Sequence, residues 1–352
     1  MAINLHSKYA KQIQTKFVKE SIVTGLLSNE YSWAGVKTVK ISTPLTVPMV
    51  DYTRTGANRY GTPTEMQDIV QELTLTQDKS FALTIDKGNN ADQNDIKAAG
   101  RMLSLQIREQ AVPAMDKYVL QTLANKAGNI VAGAALTKST VLDAIDAGIT
   151  VLDDAEVPDS DRVIFVSADV YQLIKKTGVD LYNEALVEKA FSKGQVGWYN
   201  GARLVKVPKG RLPIGLQFMI AYRNSATAPV KLNDTRLHTD PPGISGHLLE
   251  GRQYYDCFVF GVKAAGIYAY VDSAKTSVTA APTITTAGVI TAAQGAVIMY
   301  TIDGTDPRYS STAKVYSSAV GEAGDTIKAY AYAAGAYPSA VAEEVVAAAG
   351  NA

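Results

Sequence analysis

The longest regular pattern in the sequence is a stripe of apolar residues at helical spacing that begins near Asn94. The members recur on one face of an α-helix: Ile96, Leu103, Ile107, Ala114 and Tyr118. Asn94 is a good N-cap and Gly128 a C-terminal stop, so the pattern predicts a helix over about 94–126. That helix would be about 50 Å long, whereas the average globular helix has about 11–12 residues. Pro113 should kink the helix or divide it in two.

Positive charge is concentrated at the N-terminal end. The chain as a whole is neutral, with 34 basic and 34 acidic residues, which argues against a polycation that binds nucleic acid along its whole length. Residues 1–40 nevertheless carry six lysines against Glu20 and Glu30, a sum of plus four. An apolar residue recurs every four positions, which predicts a short amphipathic helix: Leu5, Tyr9, Ile13 and Phe17. The lysines that lie mostly off this stripe form a basic arm: Lys8, Lys11, Lys16 and Lys19.

Residues 41–91 follow a different pattern. Proline and glycine make the first half too irregular for a packed core: Pro44, Pro48, Gly56, Gly61 and Pro63. Apolar residues then alternate with polar or small ones at 73–75 and 81–85, on either side of a polar stretch. We therefore predict a long projecting loop with a β-hairpin stem. The turn at its tip should be formed by Gln77, Asp78, Lys79 and Ser80.

Helical and strand patterns alternate from 92 to 271 and predict an α+β body. One helix carries Leu142, Ile145, Ile149 and Leu152, and Ser167 caps another that ends at Gly178. A third, short helix is expected near 181–191. The predicted strands lie near 162–166, 202–207, 216–221, 253–260 and 266–271.

The periodicity stops at 272–281, and we predict that this segment links two domains. Residues 282–352 are poor in charge and rich in Ala, Thr, Val and Tyr. Short strands separated by Gly, Pro and Asp turns indicate a small β-sandwich. The strands are expected at 283–291, 296–302, 326–333 and 340–346. Within the third strand, Ile327, Ala329 and Ala331 should point inward.

Residues that could carry catalysis are scattered. The three histidines lie far apart, and neither a metalloprotease motif nor a phosphate-binding loop occurs. The stretch around Ser245 and His247 lacks the second glycine of a nucleophile elbow, so we interpret it as a loop. The acidic pairs Asp153–Asp154 and Glu343–Glu344 are more typical of a solvated face than of a cation site. The sequence therefore predicts no catalytic residue, no cofactor and no metal site.

Three further observations limit the function classes. The single Cys257 can form no intrachain disulfide. Neither a signal-peptide type of apolar run nor a stretch of about 18 apolar residues occurs, so we expect a soluble chain. Aromatic residues at 254–260 could stack on bases or sugars, but alternating aromatics are more typical of a core or an interface.

The order of arm, loop, long helix and α+β body resembles that of tailed-phage major capsid proteins with the Hong Kong 97 fold. The stretch RQYYDCFVFGVKAAGIYAYV at 252–271 is similar to the strands that close the peripheral domain of such proteins. The resemblance implies an N-arm at 1–40, an E-loop at 41–91, and a P-domain at 92–271 that contains the spine helix and an inserted A-domain at about 140–240.

The C-terminal region has a separate resemblance. The run YTIDGTDPRYSS at 300–311, with TIKAYAYAAG at 326–335, is similar to the immunoglobulin-like module at the C-terminus of chitobiases and hexosaminidases. Asp303-Gly304 suits a tight turn, and Pro307 ends strand pairing. This resemblance implies an immunoglobulin-like surface domain over 282–352, with a host-surface or carbohydrate contact as a further implication. Trp33 and Trp198 lie outside that domain, so the sequence indicates no aromatic platform for a sugar.

The capsid resemblance implies a structural function and no enzymatic activity. Subunits would self-assemble in the host cytoplasm into the hexamers and pentamers of an icosahedral virion that encloses double-stranded DNA. The expected partners are further copies of the chain, a portal protein and a separate scaffold protein, because an arm that starts at Met1 leaves no room for a fused scaffold. Gly56 and Gly61 are hinge candidates at the joints of loop and arm. Lys79 is the lysine comparable to the cross-linking lysine of some relatives, although exposed turn lysines are common.

Two alternatives remain at this point. A nanocompartment shell of the same fold would enclose enzyme cargo in place of DNA, and the C-terminal domain argues against it. A secreted carbohydrate-binding adhesin would use the C-terminal domain as its binding module. The missing leader and the lack of carboxylates at sugar-cleaving spacing disfavour that reading.

Overall fold

The computed structural model describes residues 21–23, 25–92, 97–178 and 195–347. Three predicted features fall outside these ranges. They are the helical arm with Lys8, Lys11, Lys16 and Lys19, the N-cap Asn94, and the short helix near 181–191.

A projecting hairpin is present, but it is not the predicted one, because the strands expected at 73–75 and 81–85 do not pair with each other. Strand β1 (Thr38–Pro44) pairs antiparallel with β2 (Asp68–Thr74), so the hairpin loop is 45–67. The predicted turn Gln77–Ser80 is wrong, because these residues begin strand β3 (Gln77–Asp86), which pairs with a strand near residue 250. An edge strand with solvent on both faces carries polar residues in succession, and such a run resembles a turn in the sequence.

The long helix is confirmed in type and begins later than predicted. After a short helix α1 (Lys87–Asp92), α2 (Ala99–Gln106) continues through a π-helical turn at Ile107–Ala111 into α3 (Val112–Asn125). The π-helical turn directly precedes Pro113, which has no N–H to donate to the preceding turn. The predicted interruption is therefore a change of helix type within one continuous helix.

A six-stranded mixed sheet forms the centre of the body. Its strands are β4 (Asn129–Gly133), β5 (Arg162–Ser167), β6 (Gln195–Tyr199), β7 (Ala202–Val207), β8 (Leu216–Tyr222) and β13 (Ile267–Asp272). The spatial order is β4-β13-β8-β5-β7-β6, with β13–β4 and β5–β7 parallel and the other pairs antiparallel. Strands from the predicted A-domain thus share one sheet with β4 and β13, which lie outside 140–240.

Helices cover both faces of this sheet. Helix α4 (Val141–Asp154) and helix α5 (Ala168–Thr177) pack on one face, and α3 packs on the other. All six residues of β5 are consequently buried. The predicted caps of α5 are confirmed, since the Ser167 hydroxyl accepts from Val170 N and Gly178 is left-handed at φ +84°.

Two smaller pairings join the body to the hairpin. Strand β9 (Ala226–Thr227) pairs with β12 (Phe258–Val259), and β10 (Val230–Thr239), β11 (Gly246–Tyr255) and β3 form a three-stranded antiparallel sheet. The single strand predicted at 253–260 is therefore two strands. Between them the Asp256 carboxylate accepts a hydrogen bond from Cys257 N, which turns the chain out of the first sheet.

The C-terminal domain is all β, as predicted. Strands β16 (Val297–Thr301), β17 (Lys314–Val315), β18 (Thr326–Tyr332) and β19 (Ala342–Val345) form a sheet in the order β17-β16-β18-β19. The continuous strand predicted at 283–291 is wrong: β14 (Thr283–Ile284) and β15 (Ile290–Thr291) flank a turn at Gly288, φ +73°. Ile327, Ala329 and Ala331 are fully buried, so their inward alternation is confirmed.

Candidate assembly interface

The loop of the hairpin exposes an unusual amount of apolar surface. Met49 is 100% exposed and Tyr60 86% exposed, although both side chains are apolar or aromatic. Six more exposed apolar residues lie in or beside the loop: Leu45, Val47, Val50, Tyr52, Met66 and Val70. A large apolar patch on a water-soluble domain commonly marks a surface that binds another protein. We call 45–67 the apolar loop.

The apolar loop has its own local order. Thr53 N donates to Arg59 O at 3.1 Å, and the rings of Tyr52 and Tyr60 meet edge to face with centroids 5.0 Å apart. Gly56 and Gly61 both have φ +88°, a conformation that favours glycine. Gly56 lies in the turn that the Thr53–Arg59 bond closes, and Gly61 lies beside Val50, so both are inside the loop and neither is at its ends, next to Pro44 and Asp68. Their predicted placement at the joints is wrong, because a glycine signal alone does not distinguish a turn from a hinge.

The stem of the hairpin, in contrast, is packed against the body. Trp33, Leu73, Leu75, Phe258 and Phe260 form a buried cluster. The Trp33 ring stacks on Phe258 with centroids 5.5 Å apart, and Trp33 Nε1 donates to Leu73 O at 3.2 Å. The aromatic residues near 254–260 thus serve as core, which confirms that interpretation.

Polar contacts fasten the same stem. The buried Asp256 carboxylate accepts from Thr76 N at 2.7 Å, from Thr76 Oγ1 at 2.8 Å and from Tyr118 OH at 2.7 Å. Gln71 Nε2 donates to Val259 O at 2.9 Å, and Gln71 Oε1 accepts from Gly261 N at 3.0 Å. These bonds connect β2 and the start of β3 to the long helix and to β12. The hairpin is therefore a fixed stem that carries an uncovered loop.

Gln77, Asp78, Lys79 and Ser80 lie away from the apolar loop, on the edge of the three-stranded sheet. Asp78 accepts two hydrogen bonds from Arg252, Nε to Oδ1 at 2.9 Å and Nη2 to Oδ2 at 2.6 Å. These hydrogen bonds hold the pKa of the Asp78 carboxyl below its ordinary value. This set is a cross-strand contact of the body and not a loop tip.

The residues weighed for catalysis stay apart in the structure. Ser245 lies in the loop before β11, and Asp153 pairs with Arg162 at 2.6 Å while Glu343 pairs with Lys328 at 3.3 Å. Among the described residues, no group of three or more His, Cys, Asp or Glu side chains is arranged to hold a metal ion. In the same part of the chain, no helix is long and apolar enough to cross a membrane.

The C-terminal domain carries an aromatic pair that sequence reasoning missed. Tyr330 and Tyr332 stack on the outer face of β18 with ring centroids 6.0 Å apart. They line a cavity of about 290 Å³ together with Asn125, Lys126 and Pro338. The signal was available, because alternate residues of a strand share a face and Ala329 and Ala331 already occupy the inner one.

Comparison with known proteins assigns the fold in two parts. The body has the fold found in phage capsid structures, and residues 289–346 match the family model "Fn3 associated". A structure from Mycobacterium phage Che8 superposes with a TM-score of 0.61 at 17% identity, covering 76% of this chain and 98% of that one.

Two further structures are similar. The capsid structure of the cyanophage P-SCSP1u gives a TM-score of 0.59 at 13% identity, with 77% of this chain and 93% of that chain covered. The mature capsid of bacteriophage PhiM1 gives 0.58 at 14% identity, with the same two coverages. No curated protein matches the sequence. The likeness is therefore one of fold, and it extends over nearly the whole length of the phage chains.

Proposed function

We propose that this protein is a phage major capsid protein of the Hong Kong 97 fold, whose copies self-assemble into the hexamers and pentamers of an icosahedral head. The observation that carries the proposal is the apolar loop on its fixed stem, in a chain whose fold is that of phage capsid structures. In this assignment β1, β2 and the apolar loop are the E-loop, and the helix over 99–125 is the spine helix.

The eight exposed apolar side chains in or beside the apolar loop favour assembly energetically. Burial of one large apolar side chain stabilises by about 1.5–3 kcal/mol, so their exposure in a lone subunit leaves a large favourable term unused. A second copy that covers the loop would recover it. Interfaces of this kind belong to obligate assemblies, which commonly bury more than about 2,000 Å² in total.

The remaining partners follow from the assembly. Double-stranded DNA would lie inside the shell, with the basic arm facing its phosphates or an acidic scaffold protein. A separate scaffold protein and a portal protein would act during assembly in the host cytoplasm, and the mature protein would reside in the virion. A shell that encloses protein cargo is the alternative.

The test is electron microscopy with sedimentation on the purified full-length chain, alone and co-expressed with a phage scaffold protein. Met49→Glu should abolish shells or capsomers, because it places a charge where a neighbour must cover an apolar side chain. Thr64→Glu, at an exposed polar site in the same loop, is the matched control and should assemble. A small monodisperse species under every condition would contradict the proposal. Shells that copurify with protein cargo and no DNA would favour the nanocompartment.

For the C-terminal domain, the aromatic pair supports a carbohydrate contact. Tyrosine faces stack on the apolar faces of hexose rings, and the amide of Asn125 offers a polar partner in the same cavity. Calorimetric titration of the full chain with chitohexaose tests it. Binding that is lost in Tyr332→Ala and kept in Val315→Ala, an exposed residue of the same sheet, supports the contact. If the unmodified chain gives no heat of binding with chitohexaose, the carbohydrate contact is rejected.

A further inference from the structure

The C-terminal domain contacts the end of the long helix through two consecutive side chains. Arg308 Nη1 donates to Ala127 O at 3.2 Å and to Gly128 O at 3.3 Å, and Tyr309 OH donates to Lys126 O at 2.7 Å. All three acceptors follow directly after α3, which ends at Asn125. Both donors belong to the run YTIDGTDPRYSS, whose sequence pattern indicates only a turn at Asp303-Gly304 and a strand end at Pro307.

The chemistry of this contact is that of a helix cap. The Lys126 carbonyl, which Tyr309 reaches, belongs to the C-cap of α3 and has no partner within the helix. The Ala127 and Gly128 carbonyls, which Arg308 reaches, follow directly after it, where the negative end of the helix favours a cation. The Arg308 side chain is only 12% exposed. Asp306 orients it by accepting from Nη2 at 2.8 Å and from Nε at 3.1 Å. The guanidinium therefore reaches the helix end already held in position.

A second contact, made by Tyr337, joins the C-terminal domain to the body next to the predicted linker. Tyr337 is 4% exposed, belongs to the core cluster of the body and donates from its hydroxyl to Ile214 O at 3.2 Å. The backbone of Tyr337 makes two hydrogen bonds to the linker. Tyr337 N donates to Ser277 O at 2.8 Å, and Tyr337 O accepts from Thr279 N at 2.9 Å. Ser277 and Thr279 of the predicted linker are thus bonded to the C-terminal domain, although most residues of 272–281 are exposed.

We propose that the C-terminal domain acts as a clamp on the long helix. Tyr309 bonds to the C-cap carbonyl of α3 and Arg308 to the two carbonyls that follow it, so the domain stabilises each subunit in addition to any contact it makes outside the shell. This inference does not depend on the capsid function, because it concerns contacts within one chain.

Hydrogen exchange of the full-length, unassembled subunit tests the clamp. The reporters are the amides of Lys126, which bonds to Thr122 O, and Gly128, which bonds to Ala264 O. Arg308→Ala should speed their exchange on the order of tenfold, the effect of losing about one hydrogen bond to a charged group. Lys314→Ala removes an exposed cation of the same domain and should leave exchange unchanged.

A second reporter separates loss of the clamp from unfolding of the domain. The amides of β18 should stay protected in Arg308→Ala. Fast exchange at Lys126 and Gly128 with protected β18 supports the clamp, and unchanged exchange at both reporters overturns it. If β18 also loses protection, Tyr309→Phe decides, because it removes one hydroxyl. In that variant, exchange at Lys126 that is a few-fold faster supports the clamp. An unchanged exchange rate at Lys126 overturns it. Electron microscopy of the same proteins reports on assembly separately.

Discussion

The central sheet and the apolar loop are both rich in apolar side chains, but they satisfy them in different ways. In β5 every residue is buried, since helices of the same subunit cover both faces of the sheet. In the apolar loop Met49 and Tyr60 are almost wholly exposed, and the nearest packed cluster is the stem around Trp33. The central sheet is therefore stabilised within the subunit, whereas the apolar loop exposes apolar surface that a second copy could bury.

The sharpest test of this contrast is a pair of truncations. Phe165→Ala in β5 should lower the free energy of unfolding of the subunit by about 4 kcal/mol, because it removes a fully buried ring and leaves a cavity. Met49→Ala in the apolar loop should change it by less than about 0.5 kcal/mol. Denaturant unfolding of the unassembled subunit measures both. Equal losses would break the comparison.

A smaller loss of stability is expected at the ion pair between Asp116 of α3 and Arg211. Asp116 is fully buried and accepts from Arg211 Nη1 at 2.6 Å, from Ser21 Oγ at 2.7 Å and from Ile22 N at 2.8 Å. Asp116→Asn removes the negative charge that pairs with the buried Arg211 guanidinium and should destabilise by about 3 kcal/mol. Asp51→Asn in the apolar loop is the control. An unchanged unfolding free energy in Asp116→Asn would show that the pair contributes nothing to the stability of the body.

The stem should give an intermediate result. Trp33→Phe removes the hydrogen bond to Leu73 O and should lower stability by about 1–2 kcal/mol. The amides that pair β1 with β2 should exchange faster in this variant, whereas those of β5 should not. Hydrogen exchange followed by mass spectrometry distinguishes the two sets. If β5 responds equally, the stem and the central sheet unfold as one unit.

The smallest effect is one of pH. Burial raises the pKa of Tyr337 to about 12, and burial with the Asp256 hydrogen bond raises that of Tyr118 to about 12, from an ordinary value of 10.0. The folded state therefore holds these protons more tightly. Their stabilising contribution is complete below about pH 10 and is lost as the pH rises from 10 towards 12. Thermal unfolding across this range should show the decline, and Tyr337→Phe should make it shallower; parallel profiles would contradict this.

Elements with local signals were predictable from the sequence. Helices α4 and α5 carry complete apolar stripes, and Ser167 and Gly178 are caps whose chemistry acts within a few residues. The errors concern strands whose partners are distant in sequence. Gln77–Ser80 pairs with residues 252–255, and no local pattern distinguishes that pairing from a tight turn. The candidate site was predicted only in part, since a projecting loop was expected over 41–91 but its exposed apolar surface was not, and its tip was placed at Gln77–Ser80.

The order of parts could be predicted from the residues alone: an irregular projecting segment, a long helix, an α+β body and a small β domain after residue 272. Hydrophobic periodicity, caps and turn residues act between residues that are close in the chain, so they can be recognised in the sequence. Three features emerged from tertiary contacts alone: the strand that the Gln77 segment joins, the position of Gly56 and Gly61 inside the loop, and the bonds from Arg308 and Tyr309 to the end of the long helix. Each of these depends on a partner elsewhere in the chain, and contact between distant residues leaves no periodic trace in the sequence.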